Sequence, residues 1–446
     1  MRIVIAGAGD VGFHLAELLA FENQDIVLID NDQDVLDYAG THLDVLPLKG
    51  DSASLSTLTK AQVNNANLVL AVTTSEKTNL MTAILAKKLG ARKVIARVNS
   101  EEYLEQTNKD TFCSLGIDHL ISPRKLAAVE IERLIRQCSF TDVYEFEDGK
   151  LSLVGATIEN NTPLENIRLQ DIGQFKSEVD LRPICILRGH QTIIPRGDTV
   201  LRRNDHIYFI TRPERKRQLE EIIGKQQRDI KRIMILGGNE LAVSSARRLQ
   251  HNFKLTIVEC NKRRCKELTE QLDNVLVING EYTNFDLLEE EGLSQMDAFI
   301  ALTENSETNI ISCLTAENHG VYKTIAQVEN KEYVHISQNI GIDTLINKKL
   351  IAANNIFRFV RKGTIEAITS LQGVDAEVIE YVISKNNQLT RKPLKDLHFP
   401  KTALVGGVIR GEESMIPDGS FQLQLNDKVI VFALPDAINR LETLFR

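Results

Sequence analysis

The amino-acid sequence predicts an α/β protein with two Rossmann-like, doubly wound parallel-sheet domains, each followed by a small β-rich α+β C-terminal domain. Three observations lead there: the chain is written twice, short apolar runs alternate with helical stretches in each longer copy, and a glycine-rich turn opens the first copy. Residues 2–12, RIVIAGAGDVG, align with 232–242, RIMILGGNELA. The offset of 230 persists through LAVTTSEKTNL (70–80) and IALTENSETNI (300–310), and through IARVNSEEY (95–103) and IAQVENKEY (325–333). LGIDHLISPRKLAA (115–128) then pairs with IGIDTLINKKLIAA (340–353) at an offset of 225. A self-match at fixed spacing marks a repeated structural unit.

A second repeat pairs PRGDTVLRRNDHIYFI (195–210) with PDGSFQLQLNDKVIVFA (417–433); in both, Asn stands nine positions after Pro. The Asn-Asp step before an alternating apolar run reads as a turn feeding a strand. The expected domains are therefore 1–138, 139–225, 230–360 and 365–446. Pro213 to Lys231, dense in Lys, Arg, Glu and Gln, is expected to be a solvated surface helix and linker.

Within the first copy, strands are expected at Ile3–Ala6, Ile26–Asp30, Val45–Leu48, Leu68–Val72, Lys93–Val98 and His119–Ile121. Helical patterns fall between them, as at Val11–Leu19 and Asn79–Leu89. Continuous apolar strands alternating with helices imply a parallel sheet covered on both faces.

Composition excludes several classes. The 446 residues are 43% hydrophobic and 26% charged, with no Trp, which is the profile of ordinary globular domains. A formal charge of -8 opposes sequence-independent nucleic-acid binding, which needs cations to displace counterions. The longest apolar runs are far too short to cross a bilayer. The N-terminal strand leads directly into the glycine motif, with no cleavage-site pattern, so a cytoplasmic location is expected. The six cysteines form no C-x-x-C pair and are expected to be thiols with no metal to hold.

The chemistry-bearing motif is Gly7-Ala8-Gly9-Asp10-Val11-Gly12 between strand and helix, with Asp30 closing the next strand 18 residues after Gly12. In this pattern Gly7 permits the tight turn, Gly9 lets the backbone approach a pyrophosphate, and Gly12 lets helix and strand pack closely. The helix N-terminus offers N–H groups and a positive dipole end to phosphates. An Asp at the second strand's end accepts from ribose hydroxyls and repels a 2′-phosphate, which favours NAD(H), or adenosine generally, over NADP(H). Thr73 and Thr74 follow the fourth strand at the same sheet edge, lining the nucleotide or capping the next helix. Arg97, ending the fifth strand, is a phosphate partner or a member of an intrachain salt bridge.

The second copy departs from this pattern. Gly237-Gly238-Asn239-Glu240-Leu241-Ala242 has Asn239 in place of the middle glycine, where its Cβ would crowd a pyrophosphate. Glu259 stands where Asp30 stands, and Gln327 where Arg97 does. A weaker or differently selective second site is expected. No catalytic frame is recognisable, and a Y-x-x-x-K match at Tyr381–Lys385 lies in a strand-like stretch outside both Rossmann copies, where that spacing does not align two side chains. An NAD-dependent oxidoreductase remains the alternative class.

The glycine loop, Asp30, the duplicated layout and the P-x-G with N-D signature together resemble the Trk potassium-uptake TrkA family. The resemblance implies two regulator-of-potassium-conductance (RCK) units, each with a nucleotide-binding N-terminal and a β-rich C-terminal part. It implies a homo-oligomeric, tetrameric ring beneath a TrkH-type potassium-translocating membrane subunit. It also implies NAD+ or NADH contacts from Gly7 to Val11, Asp30, Thr73, Thr74 and Arg97, and from Gly237 to Leu241 and Glu259. ATP or ADP competing for the same adenosine cleft is the further expectation.

Overall fold

The computed structural model describes residues 1–20, 24–158, 162–174, 181–189, 191–224, 228–330, 333, 344–360, 365–370, 374 and 376–445. Residues 225–227 of the expected linker, and 331–332 and 340–343 of the second repeat, lie outside the described residues.

The first copy folds into six parallel strands: β1 (Arg2–Ala6), β2 (Asp25–Asp30), β3 (Leu46–Lys49), β4 (Leu68–Ala71), β5 (Val94–Arg97) and β6 (His119–Ile121), in the order β3-β2-β1-β4-β5-β6. β1 and β4 are buried almost throughout because helices cover both sheet faces. Helix Asp10–Ala20 buries Val11, Leu15, Ala16 and Leu19, spaced to fall on one helical face. β3 buries nothing fully and carries Pro47, as suits an edge strand that donates few ladder bonds. The strand order reverses between β1 and β4, so their carboxyl ends flank the crevice where open α/β sheets bind ligands.

The first β-rich domain comprises β7 (Asp142–Phe146), β8 (Leu151–Thr157), β9 (Leu181–Arg188), β10 (Gln191–Ile193) and β11 (His206–Thr211), an antiparallel sheet in the order β10-β9-β11-β8-β7. The second Rossmann sheet repeats the first: β12 (Arg232–Leu236), β13 (Lys254–Glu259), β14 (Val275–Asn279), β15 (Ala298–Ala301), β16 (Lys323–Gln327) and β17 (Thr344–Ile346), in the order β14-β13-β12-β15-β16-β17. The last sheet holds β18 (Ile365–Ser370), β19 (Glu377–Val382), β20 (Ala403–Arg410), β21 (Glu413–Met415) and β22 (Lys428–Ala433), in the order β18-β19-β22-β20-β21.

The Asn-Asp signature has a structural cause. Asn204 and Asn426 adopt φ of 63° and 68°, left-handed backbone that Asn tolerates better than most residues. The next residues, Asp205 and Asp427, are buried and each receives a two-pronged guanidinium. Arg188 donates to Asp205 at 2.8 and 2.7 Å, and Arg410 to Asp427 at 2.7 and 2.8 Å. The duplicated motif is thus a turn locked to a neighbouring strand by a charge-assisted pair.

The two β-rich domains share one core. Leu151, Ile184, Tyr208 and Ile210 of the first pack in one cluster with Val378, Ile409, Ile430 and Phe432 of the second. Gly406 and Gly407 permit the approach: a Cβ there would lie 2.5 Å from Ile210 and 2.6 Å from Leu151. Lys150 pairs with Glu412, and Lys428 with Glu147, at the edge of this contact.

The helices that follow the two Rossmann sheets are exchanged. Helix Lys348–Val360 belongs by sequence to the second copy, yet it packs on helix Asp10–Ala20 and groups with residues 1–127 as one compact unit. Reciprocally, on helix Pro123–Arg136, Glu132 pairs with Arg248 at 2.7 Å and Arg136 lies over the Phe253 ring. The expected helix over Pro213–Lys231 is shorter: among the described residues Lys216–Ile222 is α-helical, and it buries Leu219 and Ile222 in the first β-rich core. Leu219 and Ile222, three apart, fall on one helical face and pin this turn. Tyr381 lies in β19, buried and stacked on Phe445, so the Y-x-x-x-K match has a packing role at its first position.

Candidate functional site

β1 delivers Gly7 to the crevice with φ of 105°, a conformation that favours glycine. A Cβ on Gly7 would fall 2.8 Å from the Thr73 amide nitrogen, and one on Gly12 only 1.8 Å from the Gly7 carbonyl oxygen. Both glycines are therefore required by the protein's own packing. Gly9 is different: a Cβ there meets nothing within 4 Å, and its φ is not left-handed. The chain's packing gives no reason for glycine at this position, which leaves a flat, accessible backbone at the start of helix Asp10–Ala20.

Asp30 braces the loop. One carboxylate oxygen accepts from the Ala8 amide at 2.6 Å, the other from the Asp32 amide at 3.0 Å. Asp30 remains partly exposed, and each oxygen has a second lone pair to offer. Asp10, the exposed first residue of the helix, pairs with Lys349.

Across the crevice, Thr73 and Thr74 occupy the loop after β4, but the helix they precede is capped by Ser75, whose Oγ accepts from the Thr78 amide. Thr73 is held by Asn79, a residue the sequence reading did not single out. Asn79 Oδ1 accepts from the Thr73 amide at 2.8 Å and its hydroxyl at 2.6 Å, while Nδ2 donates to the carbonyls of Thr73 and Arg97 at 3.0 and 2.9 Å. One buried carboxamide thereby ties the ends of β4 and β5 together. Glu76 accepts from the amides of Asn99 and Ser100, fixing the loop beyond Arg97. The signal for Asn79 was in the repeat: T-N recurs as Thr308-Asn309, and Asn309 makes the same four bonds to Thr303 and Gln327.

The second copy brings its expected residues together but engages them with one another. Gly237 repeats Gly7, with φ of 96°. Asn239 turns its side chain onto its own helix: Oδ1 accepts from the amides of Leu241 and Ala242, both at 3.0 Å, and Nδ2 donates to the Leu302 carbonyl at 2.5 Å. Arg264 lies against the loop, donating to the Gly238 carbonyl at 2.7 Å and to Glu240 at 2.9 Å. A Cβ at Gly238 would strike Leu268 at 2.6 Å. Glu259 is buried and accepts from the Gly238 amide, the Asn261 amide and the Tyr282 hydroxyl at 2.7, 2.7 and 2.8 Å. Burial alone would raise its pKa, but these donors outweigh it and hold the carboxylate below its ordinary range. Gln327 is also buried and donates to Glu329.

The duplicated parallel sheets and the glycine loop at the switch point define a class: proteins with paired dinucleotide-type Rossmann units, each carrying an antiparallel C-terminal domain. The TrkA-N domain model matches residues 3–123 and 233–348, and the TrkA-C domain model matches 153–224 and 378–446. The chain belongs to the Trk potassium-uptake TrkA family. The Trk system potassium uptake protein TrkA homolog of Archaeoglobus fulgidus is 33% identical over 447 residues, spanning all of both chains. The Halomonas elongata TrkA is 33% identical over 451 residues, covering 100% of this chain and 99% of its own. Among solved structures, the GsuK channel bound to NAD shares the fold with TM-score 0.60 and 15% identity, over 100% of this chain and 78% of that one. The GsuK RCK domain does so with TM-score 0.59, over 94% of its own length. Among the described residues no helix is long and apolar enough to cross a membrane.

Proposed function

We propose that this chain is the nucleotide-binding regulatory subunit of a Trk-type potassium uptake system. In this reading it is cytoplasmic and held at the inner face of the plasma membrane by a TrkH-type potassium-translocating subunit. It works as a tetrameric ring of four-domain chains divided at 1–138, 139–225, 230–360 and 365–446, and it binds its ligand without turning it over. The ligand is NAD+ or NADH in the first glycine loop, with ATP or ADP competing for the same adenosine cleft.

The observation that carries the reading is Gly9. Between two glycines demanded by packing stands a third that the protein's own contacts do not demand, at the point where a pyrophosphate would meet the helix N-terminus. Gly7 to Gly12 would receive the phosphates, with Thr73, Thr74 and Arg97 facing them across the crevice. Asp30 would accept from ribose hydroxyls with its remaining lone pairs. Bound there, a dinucleotide supplies charge and hydroxyl groups for recognition.

The second loop is read differently. Asn239 occupies the amide positions that a phosphate would use, and Arg264 already serves as the counter-charge. Gly237, Gly238, Asn239, Glu240, Leu241 and Glu259 therefore form a self-satisfied copy of the site, and one nucleotide per chain is assigned, in the first copy. Regulation then follows from linkage, because a ligand biases only those states for which its affinities differ. Roughly a hundredfold preference supplies about 2.7 kcal/mol per site.

Isothermal titration of the purified full chain with NADH, NAD+, ADP and ATP tests this. The expected result is one nucleotide per chain. A stoichiometry of two would return the second copy to the binding machinery, and no binding would overturn the reading. Sustained loss of NADH absorbance with an added carbonyl substrate would replace regulation with catalysis.

A further inference from the structure

We propose that Lys349, a residue of the second repeat, is a phosphate-binding residue of the first glycine loop. It would let the second half of the chain read occupancy of the first site. The proposal rests on the nucleotide reading above and adds a residue and a route of regulation to it.

Asp10 is the first residue of the helix whose N-terminus would receive the pyrophosphate, so a bound dinucleotide places its two negative charges beside a third. A cation is needed there, and Lys349 supplies it: its Nζ lies 2.5 Å from Asp10 Oδ2. The lysine is placed by design of its helix rather than by chance of a loose side chain. Asn347 is buried, and its Oδ1 accepts from the Lys349 and Leu350 amides at 3.0 and 3.1 Å, fixing the first turn of helix Lys348–Val360. That helix buries Ala352, Ala353 and Ile356 and packs on the glycine-loop helix itself. An ammonium on a flexible stem can move from a carboxylate to a phosphate a residue away without any backbone change.

The second copy supplies a cation to its own acidic residue by a different route. Its acidic residue, Glu240, takes its cation from within its own copy, Arg264. Arg124, which matches Lys349 in the repeat, donates to the Asn99 carbonyl. The first loop both receives a cation from the other repeat and leaves Gly9 open. Charge complement and open seat coincide at the same loop.

When a phosphate arrives it competes with Asp10 for Lys349, so ligand binding and the seating of helix Lys348–Val360 become one equilibrium. The test compares ligands with and without phosphate. Titrations of wild type, Lys349→Met and Lys349→Arg with NADH, ADP and adenosine are the measurement. Lys349→Met is expected to weaken NADH and ADP roughly ten- to hundredfold, the usual weight of a charge-assisted contact. Adenosine should be unaffected, and Lys349→Arg should recover most of the loss. Equal weakening of adenosine would show a packing role only, and unchanged ADP affinity in Lys349→Met would remove Lys349 from the site; either overturns the proposal while leaving the nucleotide reading intact. If wild type binds neither NADH nor ADP, the nucleotide reading fails and this proposal falls with it.

Discussion

At the scale of single residues, Asp142 is a densely bonded carboxylate outside the glycine loops. Its carboxylate accepts from His206 Nε2 at 3.1 Å, the Thr141 hydroxyl at 3.1 Å and the Tyr208 hydroxyl at 3.3 Å, and Gly155 leaves the room this cluster needs. The fully buried Lys323 ammonium, which donates to the Phe140 carbonyl and the Thr344 hydroxyl, adds a favourable field. Burial alone would raise the Asp142 pKa, but the His206 bond and charge, with Thr141 and Lys323, draw it below its ordinary value. A carboxylate whose folded pKa is depressed stabilises the fold above its unfolded pKa, and that stability is lost as pH falls through the folded value. Acidification from about pH 4, the usual aspartate range, should therefore lower the melting temperature. Asp142→Asn should be less stable than wild type at neutral pH yet lose less on acidification. Melting curves of both proteins across that range are the check; parallel acid limbs would show that other groups carry the acid sensitivity.

At the scale of elements, the three glycines of the first loop separate folding from binding. Gly12→Ala drives a methyl into the Gly7 carbonyl, 1.8 Å from the ideal Cβ position, and should cost roughly 2–4 kcal/mol of stability. Gly9→Val adds more bulk but into open space, so its melting temperature without ligand should match wild type while nucleotide affinity is lost. Calorimetric melting and titration of the two variants measure both halves of this prediction. Loss of folding in Gly9→Val would mean the glycine serves the loop itself. The sequence made these roles legible because strand, glycine spacing and Asp30 follow local rules of backbone and register. It did not disclose that Asn239 caps its own helix, since a side chain's choice between ligand and backbone is settled by rotamer and neighbours. Nor did it point to Arg264, which is distant in sequence and lies in a charged helix with no motif. Asn79 was visible only as a repeated letter, its meaning fixed once β4 and β5 were side by side.

At the scale of the whole molecule, duplication explains what local patterns could not. The repeat showed two copies but not that each copy's last helix serves the other, because an exchanged helix and a retained one have the same apolar spacing. A half-chain of residues 1–225 would leave two faces uncovered: helix Asp10–Ala20, which carries Lys348–Val360, and the sheet of β8, β9 and β11, which shares a core with the second β-rich domain. A second copy of the same half could offer helix Pro123–Arg136 to the first face. It could not match the second face as well. Where β20 presents Gly406 and Gly407 to Ile210 and Leu151, the corresponding residues of β9 are Ile184 and Cys185, which carry side chains where those glycines have none, and Ile184 itself lies 3.1 Å from the Cβ position at Gly406. Two different halves therefore fit better than two identical ones, a specificity built from small residues on one side only. Co-expressed halves 1–225 and 228–446 should assemble one-to-one in sedimentation velocity, and each alone should form weaker, concentration-dependent homodimers. Replacing Gly406 and Gly407 by Ile and Cys should erase the preference for the mixed pair. Halves that remain monomeric when mixed would show that the exchanged helices and the shared β-core hold only while the chain joins them.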